Sequence, residues 1–285
     1  MESDAEVQMI RHDFSAASLI AANEENLASW LLVFSKLEGA CLNDVDGVRR
    51  SITNIRMSLF NSIMDSRLAT EQVDATIQYL QADAEKRQVP ILWWVGPSSR
   101  PADLADRLVK RGFTIDEDGP GMAVELEKLN ESLPRPEGLA IKPAQDDDGW
   151  QAWCRALAAG FQIPSERVEF VESSWCHLFS IADPAVTQAY TAWLDGVPVA
   201  TSLLQLGGGV AGIYAVATAP EARRQGIGAQ VTLYPLLQAR ALGYRIGILQ
   251  ASEMGLPVYR SLGFRECCRI TSYSWAAGKP KSIEG

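Results

Sequence analysis

Residues 210–252 read VAGIYAVATAPEARRQGIGAQVTLYPLLQARALGYRIGILQAS. An apolar stretch, 210–218, meets a turn holding two arginines and two glycines, and a longer stretch with mixed faces comes next. The pattern reads as strand, glycine turn, helix to about Leu242, then a buried strand over RIGILQA. Such a turn is suited to an anion. Backbone N–H groups converge at the helix N-terminus, where the helix dipole adds partial positive charge. Glycine lets the backbone approach a ligand closely.

Three phosphate-binding patterns compete for this turn. The triphosphate loop requires GxxxxGK[ST], and no Lys-Ser or Lys-Thr follows here. The dinucleotide fingerprint requires GxGxxG, but Val231 stands where its third glycine belongs, and the later strand offers Gln250 where an acid is needed. The third pattern, [QR]-x-x-G-x-[GA], is met by Arg223, Arg224, Gln225, Gly226, Ile227 and Gly228. A phosphate or pyrophosphate is the expected guest. A Cβ at Gly226 or Gly228 is expected to occupy space the phosphate needs.

Working outward, the same rules give an α/β region with a mainly antiparallel sheet. LAIKPA (139–144) reads as a strand and DDDGWQAWCRALAAGF (146–161) as a helix, with acids at its positive end. VTQAYTAWL and VPVATSLLQL flank Asp195-Gly196 as a hairpin. LPVYRSL (256–262) is a short helix capped by Gly263, and FRECCRITSYSWA is a closing strand. VPILWWVGPSSRPADLADRLVKRGFTI (89–115) echoes YRIGILQASEMGLPVYRSLGFREC (244–267), with no counterpart of RRQGIGA before it. Pro134, Pro136 and Gly138 mark a linker.

Strand, [QR]-x-x-G-x-[GA] turn, helix, second strand and the run ASEMGLPVYRSLGF together resemble the GNAT acyltransferase superfamily. The resemblance covers roughly 138–276 and is strongest over 213–264. It implies two GNAT-like domains of α/β (α+β) class, each a mixed, mainly antiparallel sheet flanked by helices. Residues 1–130 would be a degenerate copy, 131–137 a linker, 138–277 the acetyl-CoA-binding domain and 278–285 a flexible tail. The first domain would complete or cover an acceptor cleft.

By the same resemblance, Arg224, Gln225, Gly226, Ile227, Gly228 and Ala229 wrap the pyrophosphate of acetyl-CoA. Val216, Ala217 and Thr218 offer backbone groups to pantetheine and thioester. Ser252 stands where such families often place an asparagine. Tyr259 occupies the general-acid position. A phenol of pKa about 10 protonates a thiolate of pKa about 8.5 only uphill in bulk water, a gap that a dry site and a hydrogen bond close. Pro235 is expected to kink the helix. The base is left open: GIYAVAT holds no carboxylate, and Glu253, the row Glu166, Glu169 and Glu172, and water are all candidates. The implied activity is acetyl-CoA-dependent N-acetylation of a small amine or amino-acid-like acceptor. A non-catalytic acyl-CoA sensor, and a GNAT-fold enzyme of O-acylation or decarboxylation, are the alternatives.

Whole-chain properties set limits. The chain has 285 residues, enough for two domains, with 47% hydrophobic and 21% charged residues. A formal charge of -9 argues against nucleic acid, which requires a basic stripe. No apolar run is long enough to span a membrane. MESDAEVQM is acidic and lacks a signal-peptide core, and the five cysteines show no CxxC spacing, so reduced thiols and a cytoplasmic location are expected. His12 and His177 are the only histidines, too few for a three-histidine metal site, and no metal is expected. Trp150, Trp153 and Trp175 read as core, as does at least one of Trp93 and Trp94, and His177 as half-buried packing. A homodimer is compatible with this reading.

Overall fold

The computed structural model describes residues 9–42 and 47–278. The tail expected from 278 lies outside it beyond Gly278. In chain order the elements are α1 (Ala16–Leu32), β1 (Cys41–Leu42), β2 (Arg49–Ile52), β3 (Asn61–Met64), α2 (Val73–Arg87), β4 (Ile91–Val95), α3 (Leu104–Lys110) and β5 (Thr114–Glu125). They continue with β6 (Leu139–Pro143), α4 (Asp147–Gly160), α5 (Ser165–Ile181), β7 (Thr187–Leu194), β8 (Val197–Gly207), β9 (Val210–Thr218), α6 (Ile227–Ala241), β10 (Ile246–Gln250), α7 (Leu256–Leu262) and β11 (Arg265–Trp275).

The chain divides into two compact units, neither of them one continuous segment. Unit 1 joins the described residues up to Ser29 to Gly121–Cys267, and unit 2 joins Trp30–Pro120 to the chain from Cys268. The expected linker, 131–137, thus falls within unit 1, and hydrogen bonds hold it there. Gln230 Nε2 donates to the carbonyls of Leu133 and Pro134 at 3.0 and 3.2 Å. The Asn130 amides donate to Leu262 and Ser261.

The sheet of unit 1 runs β5-β10-β9-β8-β7-β6. Only the β9–β10 pair is parallel, and the other pairs are antiparallel. Asp195 and Gly196 turn β7 into β8 with φ of 49° and 82°, the left-handed pair a two-residue hairpin requires. Val231, Leu236, Tyr259, Leu262 and Phe264 from α6, α7 and the residue just before β11 pack with Leu204 and Ile213 of the sheet in one buried core. Each such side chain stabilises by about 1.5–3 kcal/mol on burial.

Two irregularities set the course of β9. Its pairing with β10 is confined to Ala211–Gly247 and Gly212–Ile248, so the strands part while both continue. Against β8, one residue, Ser202, faces two, Ala215 and Val216, which is a β-bulge. Ala215 takes φ 49°, and its carbonyl accepts from Thr201 Oγ1 at 2.8 Å.

Helix α1 braces this parting. Buried Asn26 donates through Nδ2 to the carbonyls of Gln205, Gly207 and Val210, and accepts the Tyr214 hydroxyl at 2.7 Å. Burial pushes the Tyr214 phenol far above its ordinary value, so it keeps its proton for that bond. One turn earlier Asn23 accepts from Gln250 of β10 at 3.2 Å. The sequence showed no sign of this helix's role.

Pro235 lies inside α6, which stays helical through it. Proline has no N–H, so the carbonyl four residues back, on Val231, loses its helical partner. Ser202 Oγ of β8 supplies the bond at 2.7 Å within the core.

Unit 2 repeats part of this order. Its sheet runs β1-β2-β3-β4-β11, with β3 and β4 parallel and joined through α2. Ile63, Ile77, Trp93, Leu104 and Phe113 form its core. Trp93 is fully buried and Trp94 partly so. Here the parallel strands are laced together beyond their ends. Arg100 N donates to Ser66 O at 2.8 Å, Leu68 N to Arg100 O at 3.2 Å, and Trp93 Nε1 to Ser66 Oγ at 2.8 Å. Each unit also takes its last strand from the other half of the sequence: Gly121–Glu125 in unit 1 and Thr271–Trp275 in unit 2. Among the described residues, no helix is long and apolar enough to cross a membrane.

Ser202→Ala should cost about 1–3 kcal/mol, because a buried carbonyl loses its side-chain donor. With Pro235→Ala the helix regains an N–H at that carbonyl, so the same serine change should cost less. Urea denaturation of the two singles and the double measures the coupling, and equal costs in both backgrounds would refute the compensation. A fragment starting at Pro136 lacks both α1 and the strand Gly121–Glu125. Circular dichroism and denaturant melts should find no cooperative unfolding in it, whereas a native-like transition would show that α1 is dispensable.

Candidate functional site

A cleft of about 1020 Å³ opens in unit 1 where β9 and β10 part. Its floor is Val216, Ala217 and Thr218 from the end of β9, and its far side is the 252–255 turn after β10. The bulge at Ala215 shifts the register of this stretch, so Val216 falls out of regular pairing with β8.

The glycine turn closes one end. Arg224 and Gly226 both take left-handed φ, 60° and 81°, and Gly226 is the N-cap of α6. The N-terminal N–H groups of α6 have no helical partner, as at any helix start. Arg224, Gly226, Ile227, Gly228 and Ala229 all line the cleft. The two glycines have different surroundings. A Cβ on Gly226 would lie 2.8 Å from the Pro134 carbonyl, so its constraint comes from the protein itself. A Cβ on Gly228 would meet only Thr218 Oγ1, at 3.5 Å, leaving its open side to the cleft.

The two arginines also differ. Arg224 is exposed at the cleft. Arg223 is half-buried, and its guanidinium donates to Thr218 O at 3.0 Å and to Gly160 O at 2.8 Å.

Tyr259 comes from the middle of α7 and lines the cleft, 7% exposed. Its ring packs edge-on to Phe264 at 6.1 Å. The bareness of Gly255 admits the ring, since a Cβ there would come within 2.7 Å of Tyr259 Cε2. Proline at the second position of α7 and left-handed Gly263 at its end fix this short helix.

Every residue expected at the cofactor lines this cleft except Gln225, whose side-chain amide donates to the Glu221 carbonyl at 3.3 Å. Ser252 lines it and also caps the turn through Oγ, accepting from Gly255 N. Among the open base candidates, Glu253 lines the cleft. Glu166, Glu169 and Glu172 lie on α5. Trp153 and Trp175 are core, as expected, while His177 is exposed rather than half-buried. Sequence reasoning missed Leu133 and Pro134 on one wall and Gly160 and Phe161 on another. Gly160 had a signal in principle. A glycine ending an amphipathic helix allows close contact, and here a Cβ would fall 2.6 Å from Ala217 Cβ.

A diphosphate fits such a turn, with free helix-start amides, a bare Gly228 and an exposed arginine facing one cavity. A long thin arm fits between strands that part.

Residues 150–264 match the acetyltransferase (GNAT) family model, a family whose acyl donor is acetyl-CoA. Among solved structures, the chain is similar to a GCN5-related N-acetyltransferase from Kribbella flavida. That match has 20% identity and a TM-score of 0.67, and covers 94% of this chain and 98% of the other. A tandem GNAT protein from the clavulanic acid biosynthesis pathway gives 15% identity and a TM-score of 0.58, covering 91% and 97%. A GCN5-related N-acetyltransferase from Sphaerobacter thermophilus gives 20% and 0.57, covering 81% and 76%. No curated protein matches the chain.

The glycines should separate experimentally. Gly226→Ala should destabilise by about 1–2 kcal/mol, from a left-handed φ and a blocked Cβ. Gly228→Ala, at a helical position, should be neutral or stabilising by up to about 1 kcal/mol. Thermal melts check both, and equal destabilisation would place Gly228 in the same class as Gly226.

Proposed function

We propose that the protein is an acetyl-CoA-dependent N-acetyltransferase acting on a small amine or amino-acid-like acceptor by direct transfer. The observation that carries this reading is convergence: parted strands, an anion turn and a buried tyrosine meet in one cleft.

Acetyl-CoA would supply an acyl group already activated as a thioester. The chain's own residues then divide the work. Arg224 and the amides from Gly226 to Ala229 would hold the diphosphate. The backbone of Val216, Ala217 and Thr218, with Ser252 opposite, would hold the pantetheine arm. An N–H near Val216 or Ala217 would stabilise negative charge developing on the acyl oxygen, and one such donor is worth about 3 kcal/mol. It costs no reorganisation, because the bulge fixes its direction beforehand.

Tyr259 would hold the proton that the departing thiolate needs. Its low exposure limits competing water, which narrows the gap between the phenol and thiol. Incoming amine must lose a proton to a base. Glu253 is the carboxylate at the cleft, and a water bridging the amine to it would complete the path with no strand carboxylate.

The test is thiol release from acetyl-CoA with a panel of small amines, with product masses recorded. Release and an N-acetyl product are expected with the wild-type protein. Tyr259→Phe keeps the ring and removes the proton, so turnover should fall at least tenfold, within the roughly 10²–10⁴ range of acid catalysis. Acetyl-CoA affinity by calorimetry should stay within about threefold, since the phenyl still packs on Phe264. Normal turnover in Tyr259→Phe would make the tyrosine packing only, and tight binding with no turnover on any amine would favour a sensor.

A further inference from the structure

We infer that Arg223, the first residue of the glycine-turn pattern, is a positioning residue that shapes the cleft through the protein and does not bind phosphate. The inference rests on the acyl-donor reading and assigns a part of the same site.

The guanidinium is already committed. Nε reaches the carbonyl of Thr218, the last residue of β9, and Nη2 reaches the carbonyl of Gly160, the last residue of α4. Both acceptors belong to residues that line the cleft. Each is a backbone carbonyl at the end of an element, where the regular ladder or helix supplies no partner. Arg223 thus ties three pieces at one point: the end of the floor strand, the start of the anion turn and the end of α4.

The contact beneath the tie is tight. A Cβ on Gly160 would lie 2.6 Å from Ala217 Cβ and 2.9 Å from Thr218 N. The helix end is therefore pressed against the two floor residues, and Arg223 holds it there. The next residue, Phe161, lines the cleft with 57% of its surface exposed. Loosening the tie would let the α4 end and Phe161 move off the floor and let Thr218 and the turn drift apart.

Shape matters here more than charge. Arginine spans two carbonyls with a planar, pre-organised fork, whereas lysine offers a single ammonium point. Lysine preserves charge and forfeits the two-pronged bridge, so it separates the two roles. A direct phosphate contact would survive Arg223→Lys, and a bridge would not.

Two measurements on Arg223→Lys, Arg223→Gln and Arg224→Gln test this. The first is amide hydrogen exchange read by mass spectrometry, without ligand. Amides of 158–163 and 216–224 should exchange about tenfold faster in both Arg223 variants and stay near wild type in Arg224→Gln. The second is acetyl-CoA affinity by calorimetry across a salt series. Both Arg223 variants should lose about tenfold with the wild-type salt slope, whereas Arg224→Gln should bind more weakly with a shallower slope. Wild-type exchange in both Arg223 variants, or wild-type affinity in Arg223→Lys, or a flattened slope in Arg223→Gln, would overturn the bridge. If the wild-type protein binds no acetyl-CoA, the acyl-donor reading fails, and the exchange measurement alone still decides the role of Arg223.

Discussion

Two parallel strands cannot stay paired along their length and also admit a ligand between them. In unit 1, β9 and β10 are paired at only two positions before they part. Every second residue that parts leaves an N–H and a C=O with no ladder partner on that side. Much of what is unusual in this unit answers that cost. The bulge carbonyl of Ala215 is taken by Thr201. Asn26 and Asn23 of α1 hold Tyr214 and Gln250, one on each strand near the point of separation. Arg223 takes the carbonyl at the end of β9. The backbone left over faces the cleft, where a ligand or water completes it.

Unit 2 shows the opposite solution from the same arrangement. Its parallel strands β3 and β4 are also each followed by a turn and a helix. Beyond the strand ends the two turns bond to each other through Ser66, Leu68 and Arg100, and Trp93 fixes Ser66 from within the core. Those bonds consume the groups that an open pair would present. A left-handed residue, Asp65, follows β3, but no glycine precedes α2, whose N-cap is Gln72. Unit 2 thus differs from unit 1 by a closed seam as well as by a missing glycine.

The sequence revealed the parts that are local. Arg224 to Ala229 form a turn because glycine and a strand-helix junction are read within a dozen residues. Asp195-Gly196, Gly263 and the helix of Tyr259 were legible for the same reason, as each is fixed by nearby backbone geometry. The walls that were missed are non-local. Leu133 and Pro134 reach the cleft because Gln230 binds their carbonyls across about 96 residues of chain, and Gly160 because a helix end lands on Ala217. The sequence pattern gave no reading of helix α1 with its two asparagines, because the partners of Asn26 lie about 180 residues away. The expected domain boundary followed the prolines at 134 and 136. They do interrupt regular structure, yet the segment is bonded into unit 1 through Asn130, Leu133 and Pro134.

Charge sets the last constraint. The chain carries a formal charge of -9, so its far field repels an anion such as a nucleoside diphosphate. At physiological salt that field decays over about 8 Å, and contacts made inside the cleft are screened much less. Affinity for such a ligand then has to come from short-range donors. With Arg223 committed to two carbonyls, Arg224 is the formal charge left at the turn, and the remaining attraction falls to oriented amides at the start of α6. Amides held by a fixed helix need no reorganisation to meet a phosphate, and their strength depends on the turn keeping its shape. On the proposed reading, an acidic protein would hold a polyanion with few cations, with one arginine fixing the backbone whose dipoles face the ligand.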